Sequence, residues 1–448
     1  MKVASRLCLT LAVAAMVAAN ARADEVTDWN QTLFRSGLMT NPTTSPLVTS
    51  RVAAIFSAAV FDAVNGIDGR YSPIHVTHAA PAGASRRAAA VQAAYASMLL
   101  LYPTATYPSL KAALDGRRAA SMAVIAADPQ ETASSIASGL AWGESVAAAI
   151  FAWRSTDGFT HPPLPFLGGT AVGQWRPTPP GFLAGAAPQF AYMTPWVLDS
   201  PAQFHSLAAG PPALTSARYA TEFNETRTMG SLTSPLRTAD QTLYAFFWNS
   251  TTVGSLWNGV ALSLLEGDDE GHGSTHRRHG SLLENARRLA ILNLAMADAA
   301  IACWEAKYSI VAWRPITAIA LADTDGNPAT APDTTWLPLL VTPNHPEYPS
   351  GHSTVSGAAA RVLARFFGQR ARFTVDSDLM LGVTRSFRSF SGALDEVTNA
   401  RVFAGIHFRA ACEDGQVLGG AVADHVLSNA LLPAGGDDED DDGQAPRR

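Results

Sequence analysis

The stretch YPSGHSTVSGAAARVLARFF, Tyr348 to Phe367, divides into two parts. Pro349 and Gly351 set a tight turn. From Thr354 the apolar residues recur at helical spacing, so the turn opens a helix. The first amides of a helix have no carbonyl partner and carry the positive end of its dipole. The Gly351 N–H and the Ser350 hydroxyl would therefore face an anion held at that terminus. His352, beside them, is placed to act as acid or base.

Two other pieces carry matching chemistry. Upstream, Lys307 and Arg314-Pro315 lie seven residues apart, near two helical turns. On a continuous helix both cations would share a face and could clamp the oxygens of an oxyanion, the arginine as a bidentate fork. Downstream, Arg401-Val-Phe-Ala-Gly-Ile-His407 joins a third cation to a second imidazole. Taken singly, each piece has a structural explanation: surface cations, a capped helix, a core histidine. Three cations, two histidines and an anion nest in this order are hard to explain by packing.

The remainder of the chain is predicted to be all-α. Ser50–Ile67 (SRVAAIFSAAVFDAVNGI), Ser85–Leu101, Ser109–Ala127 and Gln130–Ala152 are alanine-rich with helical periodicity, and strand-like alternation is scarce. Leu214–Met229, Ala239–Leu265 and Ser281–Ser309 continue the pattern. Between them residues 160–213 are rich in proline and glycine, a bridging segment that packs over the surface and offers Trp175, Arg176, Phe190 and Trp196. The polar loop Gly267–Gly280 holds His272, His276 and His279, which read as exposed loop residues. Asp323-Thr-Asp-Gly-Asn-Pro328 begins like a calcium loop, but its twelfth position is Thr334 rather than glutamate.

The chain has 448 residues, 47% of them hydrophobic, enough for a large core. The net charge of -6 gathers at Asp437–Asp442, and no basic field suggests nucleic acid. Lys2 and Arg6, the apolar run Leu7–Ala19 and Ala21-Arg22-Ala23 read as a secretory leader with Asp24 as mature start, so the protein is expected to be exported, periplasmic or extracellular. No later segment reads as a transmembrane span. Cys303 and Cys412 either pair or remain buried thiols. The organisation expected is residues 1–23 leader, 24–159 N-terminal helical half, 160–213 bridging segment, 214–432 C-terminal catalytic half with its motif core at 307–407, and 433–448 acidic disordered tail.

The order K-x6-R-P, P-S-G-H, R-x5-H resembles the pattern of the superfamily uniting type 2 phosphatidic acid phosphatases, bacterial class A acid phosphatases and vanadium-dependent haloperoxidases. The gaps agree, with 33 residues between the first two pieces and 48 between His352 and Arg401. The whole mature chain is most similar to exported bacterial vanadium haloperoxidase-like proteins, including the FDAVNGI and HPEYPSGH runs. The resemblance implies a helical bundle with the site at one end. It implies that Lys307, Arg314 and Arg401 bind equatorial oxygens, that Ser350 and Gly351 complete the cradle, that His407 ligates vanadium or attacks phosphorus, and that His352 is the acid/base.

Two chemistries follow. In one, bound vanadate lets hydrogen peroxide oxidise a halide. His345, seven residues before His352, resembles the bromoperoxidases and points to bromide rather than chloride. In the other, an acid phosphatase without cofactor cleaves a phosphate ester through His407. A third reading is a non-catalytic helical anion-binding protein. A homo-oligomer is compatible with all three. The chain departs from the family pattern at Ala400, where a serine is expected, and at Ala411, where an aspartate normally holds the second nitrogen of the histidine. Glu413, Asp414 or a backbone carbonyl is the expected substitute.

Overall fold

The structure is a computed structural model describing residues 24–36, 45–161, 164–266, 280–377 and 379–435. The leader, the three loop histidines and Asp437–Asp442 lie outside the described residues. The helices are α1 (Glu25–Arg35), α2 (Pro46–Asp68), α3 (Arg86–Leu101), α4 (Pro108–Ala126), α5 (Ala133–Arg154), α6 (Ala217–Met229), α7 (Ala239–Ser250), α8 (Val253–Glu266), α9 (Leu282–Ile310), α10 (Pro315–Ala320), α11 (Gly351–Phe367), α12 (Phe390–Phe403) and α13 (Arg409–Asn429). The all-α expectation holds, with one small addition. Phe373–Asp376 (β1) and Thr384–Phe387 (β2) form an antiparallel hairpin between α11 and α12, pairing Phe373 with Phe387.

Local chemistry sets many of these boundaries. Ser85, Ser216, Thr238 and Ser281 each accept a backbone N–H as N-caps, and Thr238/Gln241 and Ser281/Glu284 form full capping boxes. The predicted single helix over 239–265 is two helices. The backbone turns extended at Thr251, and Thr252 then accepts from Ser255 N.

Helix α9 is the axis of the molecule. It packs on α2 on one side and on α11 and α13 on the other, so one apolar core draws on both halves of the chain. This burial explains a correction to the hydropathy reading. Pro46–Asp68, Ala133–Arg154 and Leu282–Ile310 are long and apolar enough to cross a membrane by length and composition. In the first and last, 94% of the most apolar stretch is buried inside the protein.

The bridging segment is tied to this axis. The Asp298 carboxylate of α9 accepts the N–H groups of Trp196, Val197 and Leu198, at 2.7, 2.8 and 3.1 Å. Arg154 donates to the carbonyls of Thr194 and Pro195. Trp175, Phe190 and Trp196 are buried. Cys303 and Cys412 are both buried free thiols, so they do not pair. In the Asp323–Pro328 turn, Asp325 spends both oxygens on its own loop, accepting from Asn327 N and Thr330 Oγ1.

Candidate active site

Three chain segments bring the cations together. Helix α9 delivers Lys307 in its last turn and ends at Val311, whose φ of 57° is the left-handed region that a β-branched residue rarely enters. Residues 311–313 are then pinned. Trp175 N donates to Val311 O, Trp313 N to Gly173 O, and Glu347 N to Ala312 O. Arg314 follows as the extended N-cap of α10, with Pro315 at the first helical position. Lys307 and Arg314 thus converge across a bend, not along the one helix face expected from their spacing.

The second segment is the turn before α11. Ser350 is the N-cap, accepting from Ser353 N, and its own N–H donates to Ala411 O at 2.8 Å. Gly351 and His352 are the first helical residues, so their amides lack an intrahelical carbonyl. A Cβ at Gly351 would come within 3.1 Å of the Trp304 ring. In the third segment Arg401 sits in the last turn of α12. Gly405, at φ 77°, then reverses the chain, where a Cβ would collide with Gly230 O at 2.4 Å. His407 lies in the short link to α13, so it and Arg401 sit on different elements.

The side chains form one buried cluster. Lys307 and Arg314 are 0% exposed, Arg401 1% and His407 2%. Lys307 Nζ donates to Pro346 O and Glu347 O, both at 2.9 Å, which leaves one of its three donors uncommitted. Arg314 donates from Nε to His345 O, from Nη1 to Ile406 O at 2.7 Å and His407 Nε2 at 3.2 Å, and from Nη2 to His345 Nδ1 at 2.9 Å. Arg401 Nη1 donates to Asn249 Oδ1 at 3.1 Å, and its buried Nε has no partner. His352 lies against the Trp248 carbonyl. His345 packs on Trp304, ring centres 4.8 Å apart.

The electrostatics are those of an anion site. Burial, with mutual repulsion, pushes Lys307 down to about 7 and Arg314 to about 9; burial also pushes Arg401 to about 10. Burial, then the neighbouring cations, holds His345, His352 and His407 well below the usual histidine range, so all three are neutral. One carboxylate, Glu347, offsets Lys307 and Arg314, and burial raises it to about 7. Three cations against one acid, with an orphaned guanidinium N–H and two free amides, fit a tetrahedral or trigonal-bipyramidal oxyanion such as vanadate or phosphate.

This arrangement has a pH consequence. Above about pH 7 the anion-free site loses the Lys307 proton, and an incoming anion must restore it by proton uptake. Glu347, ionising near the same pH, acts in the same direction. Sulfate stays a dianion from about pH 6 to 9, so its affinity, measured by calorimetry, should fall as pH rises through 7, by up to about tenfold per unit for one coupled proton. Lys307→Met should bind weakly at low pH and show a shallower slope; an unchanged profile would remove Lys307 from the site.

All eight residues singled out in the sequence lie in the three segments that build this site. Three contributors were not singled out. Trp304 forms the wall behind Gly351, Asn249 meets Arg401, and Glu347 meets His407. Glu347 Oε1 lies 2.9 Å from His407 Nδ1 and also accepts Phe408 N at 3.0 Å. The substitutes expected for the missing aspartate are engaged elsewhere, Glu413 with Arg218 and Asp414 with the Tyr348 hydroxyl. The local signal for Glu347 was a single acid in the Pro-rich run just before the turn; its partner is 60 residues away. Ala400 is buried in the core.

Residues 287–433 match the family model of the vanadium chloroperoxidase (VCPO) second helical-bundle domain, a span that contains every motif residue. The vanadium chloroperoxidase of Curvularia inaequalis is 32% identical over 94 residues, 19% of this chain; the chain spans only 15% of that protein's length. A crystal structure of a bacterial vanadium-dependent iodoperoxidase superposes with a TM-score of 0.73 at 28% identity, covering 92% of this chain and 97% of that one. Together the domain match, the curated relative and the whole-length superposition support the vanadium haloperoxidase-like superfamily. The holo form of a bacterial vanadium-dependent chloroperoxidase shares the fold, with a TM-score of 0.63 at 16% identity over 91% of this chain and 96% of that one. The helical architecture is therefore the haloperoxidase one, and the motif cluster sits in the domain that the family model covers.

Proposed function

We propose that this haloperoxidase-like protein is a vanadium-dependent haloperoxidase, in which hydrogen peroxide, a halide ion and a proton become hypohalous acid and water. The observation that carries the reading is the neutral His407 ring. Its Nε2 meets the buried Arg314 guanidinium at 3.2 Å, Lys307 and Arg401 add to the burial and positive field that keep the ring neutral, and its Nδ1 is held by an acid. Lys307, Arg314 and Arg401, with Ser350 and the Gly351 amide, would hold vanadate, and His407 Nε2 would ligate it. Bound vanadate supplies the Lewis-acid centre at which peroxide is activated toward halide. His352, kept neutral by burial, is the base able to take a proton from peroxide.

His345, beside Arg314 and Trp304, together with the likeness to an iodoperoxidase, supports the more easily oxidised halides, iodide and bromide, over chloride. A phosphomonoesterase uses the same donors, with His407 as nucleophile, and is the second reading. The absence of an acid at Ala411 would favour a non-catalytic anion-binding protein, and the Glu347 contact on His407 Nδ1 removes that support.

The test is one parallel assay. The stripped protein, reloaded with vanadate, is expected to oxidise iodide and bromide with peroxide in proportion to vanadate bound. His407→Ala should lose at least about a hundredfold, the upper end of what loss of ligand support alone costs. Ester hydrolysis inhibited by vanadate, without halide oxidation, would transfer the site to the phosphatase reading.

A further inference from the structure

We infer that Glu347 is the positioning residue of His407, taking from an earlier loop the role that the family pattern gives to an acid four residues beyond the histidine. The argument begins at Nε2. Arg314 Nη1, 3.2 Å away, belongs to a guanidinium that can only donate, so Nε2 carries the lone pair and the proton is on Nδ1. That N–H donates to Glu347 Oε1. The same oxygen accepts the Phe408 N–H, so one carboxylate orients both the ring and the backbone that carries it.

Glu347 is itself held fast. It is 1% exposed, its N–H donates to Ala312 O, and its C=O accepts Lys307 Nζ. One residue therefore joins the Lys307–Arg314 segment, the turn before α11 and the His407 link. Position 411 has no room for the usual acid. Ala411 is 1% exposed, packs with the buried Tyr348, and gives its carbonyl to Ser350 N. The acid has moved in sequence while its contact on the ring has been kept. Fixing the tautomer and ring direction through the distal nitrogen raises the ligand strength of the other.

The inference rests on the proposal that vanadium bonds to His407, and the experiment separates the two. Orthovanadate and, separately, inorganic phosphate are titrated into the full chain and into Glu347→Ala, Glu347→Gln and His407→Ala at one pH near neutral. Phosphate at equilibrium uses only the cations and amides; vanadate uses the ring as well. Glu347→Ala is expected to weaken vanadate about 10–100-fold, the usual effect of removing a ligand's hydrogen-bond partner, and to leave phosphate unchanged or tighter. Glu347→Gln, which keeps an acceptor on Nδ1, should recover part of the loss, and it carries the test should the alanine variant fail to fold. Equal weakening of both anions would mean a merely structural role and overturn the inference. Vanadate preference lost in His407→Ala but intact in both Glu347 variants overturns it while the ligand assignment stands. Preference intact in His407→Ala overturns the ligand assignment and the inference with it.

Discussion

Gly419→Ala is expected to destabilise this protein by about 3 kcal/mol or more and to take oxyanion binding with it, while Gly420→Ala does neither. Helices α11 and α13 cross on a run of glycines. A Cβ at Gly419 would stand 1.9 Å from Thr354 O, at Gly357 2.6 Å from Gln416 O, and at Gly415 3.0 Å from Ser350 O. The obstacles are backbone atoms, so no rotamer change relieves them; the helices must separate, at a cost at or above the ~1–3 kcal/mol of ordinary overpacking. The separation also moves the site. Helix α11 begins at Gly351, and the Ser350 N–H bond to Ala411 O crosses this same interface. At Gly420 nothing lies within 4 Å, so alanine there should be neutral or stabilising by up to ~1 kcal/mol through helix propensity. Urea unfolding and vanadate titration of the two variants check the pair. Equal behaviour would refute the close crossing.

Arg314→Ala has the second large effect, and it acts on fold and function together. Arg314 is wholly buried and bonds to groups from two other segments: His345 O, Ile406 O, His345 Nδ1 and His407 Nε2. Its removal strands two carbonyls, at ~1–3 kcal/mol each, and leaves Glu347 with one cation fewer. Relief of a buried charge offsets part of this, so a net loss of about 3 kcal/mol is expected in the anion-free protein. Vanadate or sulfate affinity should fall by about 2–5 kcal/mol, the effect of truncating one partner of a buried charge pair. Arg314→Lys should restore the charge but not binding, because an ammonium on a flexible stem cannot reproduce a planar fork with four acceptors around it. Near-native affinity in either variant would exclude Arg314 from the cradle.

How much of this was legible in the sequence depends on the range of the interaction. The helices were legible because their signals are local: apolar periodicity, capping serines and threonines, prolines at first turns. The break at Thr251–Thr252 was not, because periodicity continues across it. The Lys307–Arg314 spacing was misread for a related reason. The bend at Val311 is enforced by Gly173, Trp175 and Glu347, residues remote in sequence. The β-hairpin carries only four residues per strand and leans on α8 and α12, too little pattern to stand out.

By itself, then, the sequence determined the all-α architecture and nominated the candidates for the site: which cations, which histidines, which turn. These follow from residue type and near-neighbour spacing. Tertiary structure alone decided how those groups are charged and which nitrogen of His407 is offered. Burial of three cations around one acid can be read only when α9, the turn before α11 and the link after α12 are in contact. The orientation of a ring depends on a carboxylate 60 residues away. Ala411 looked in the sequence like a missing support. In the folded protein the support is present, on Glu347, because hydrogen bonding depends on distance in space and not on position in the chain.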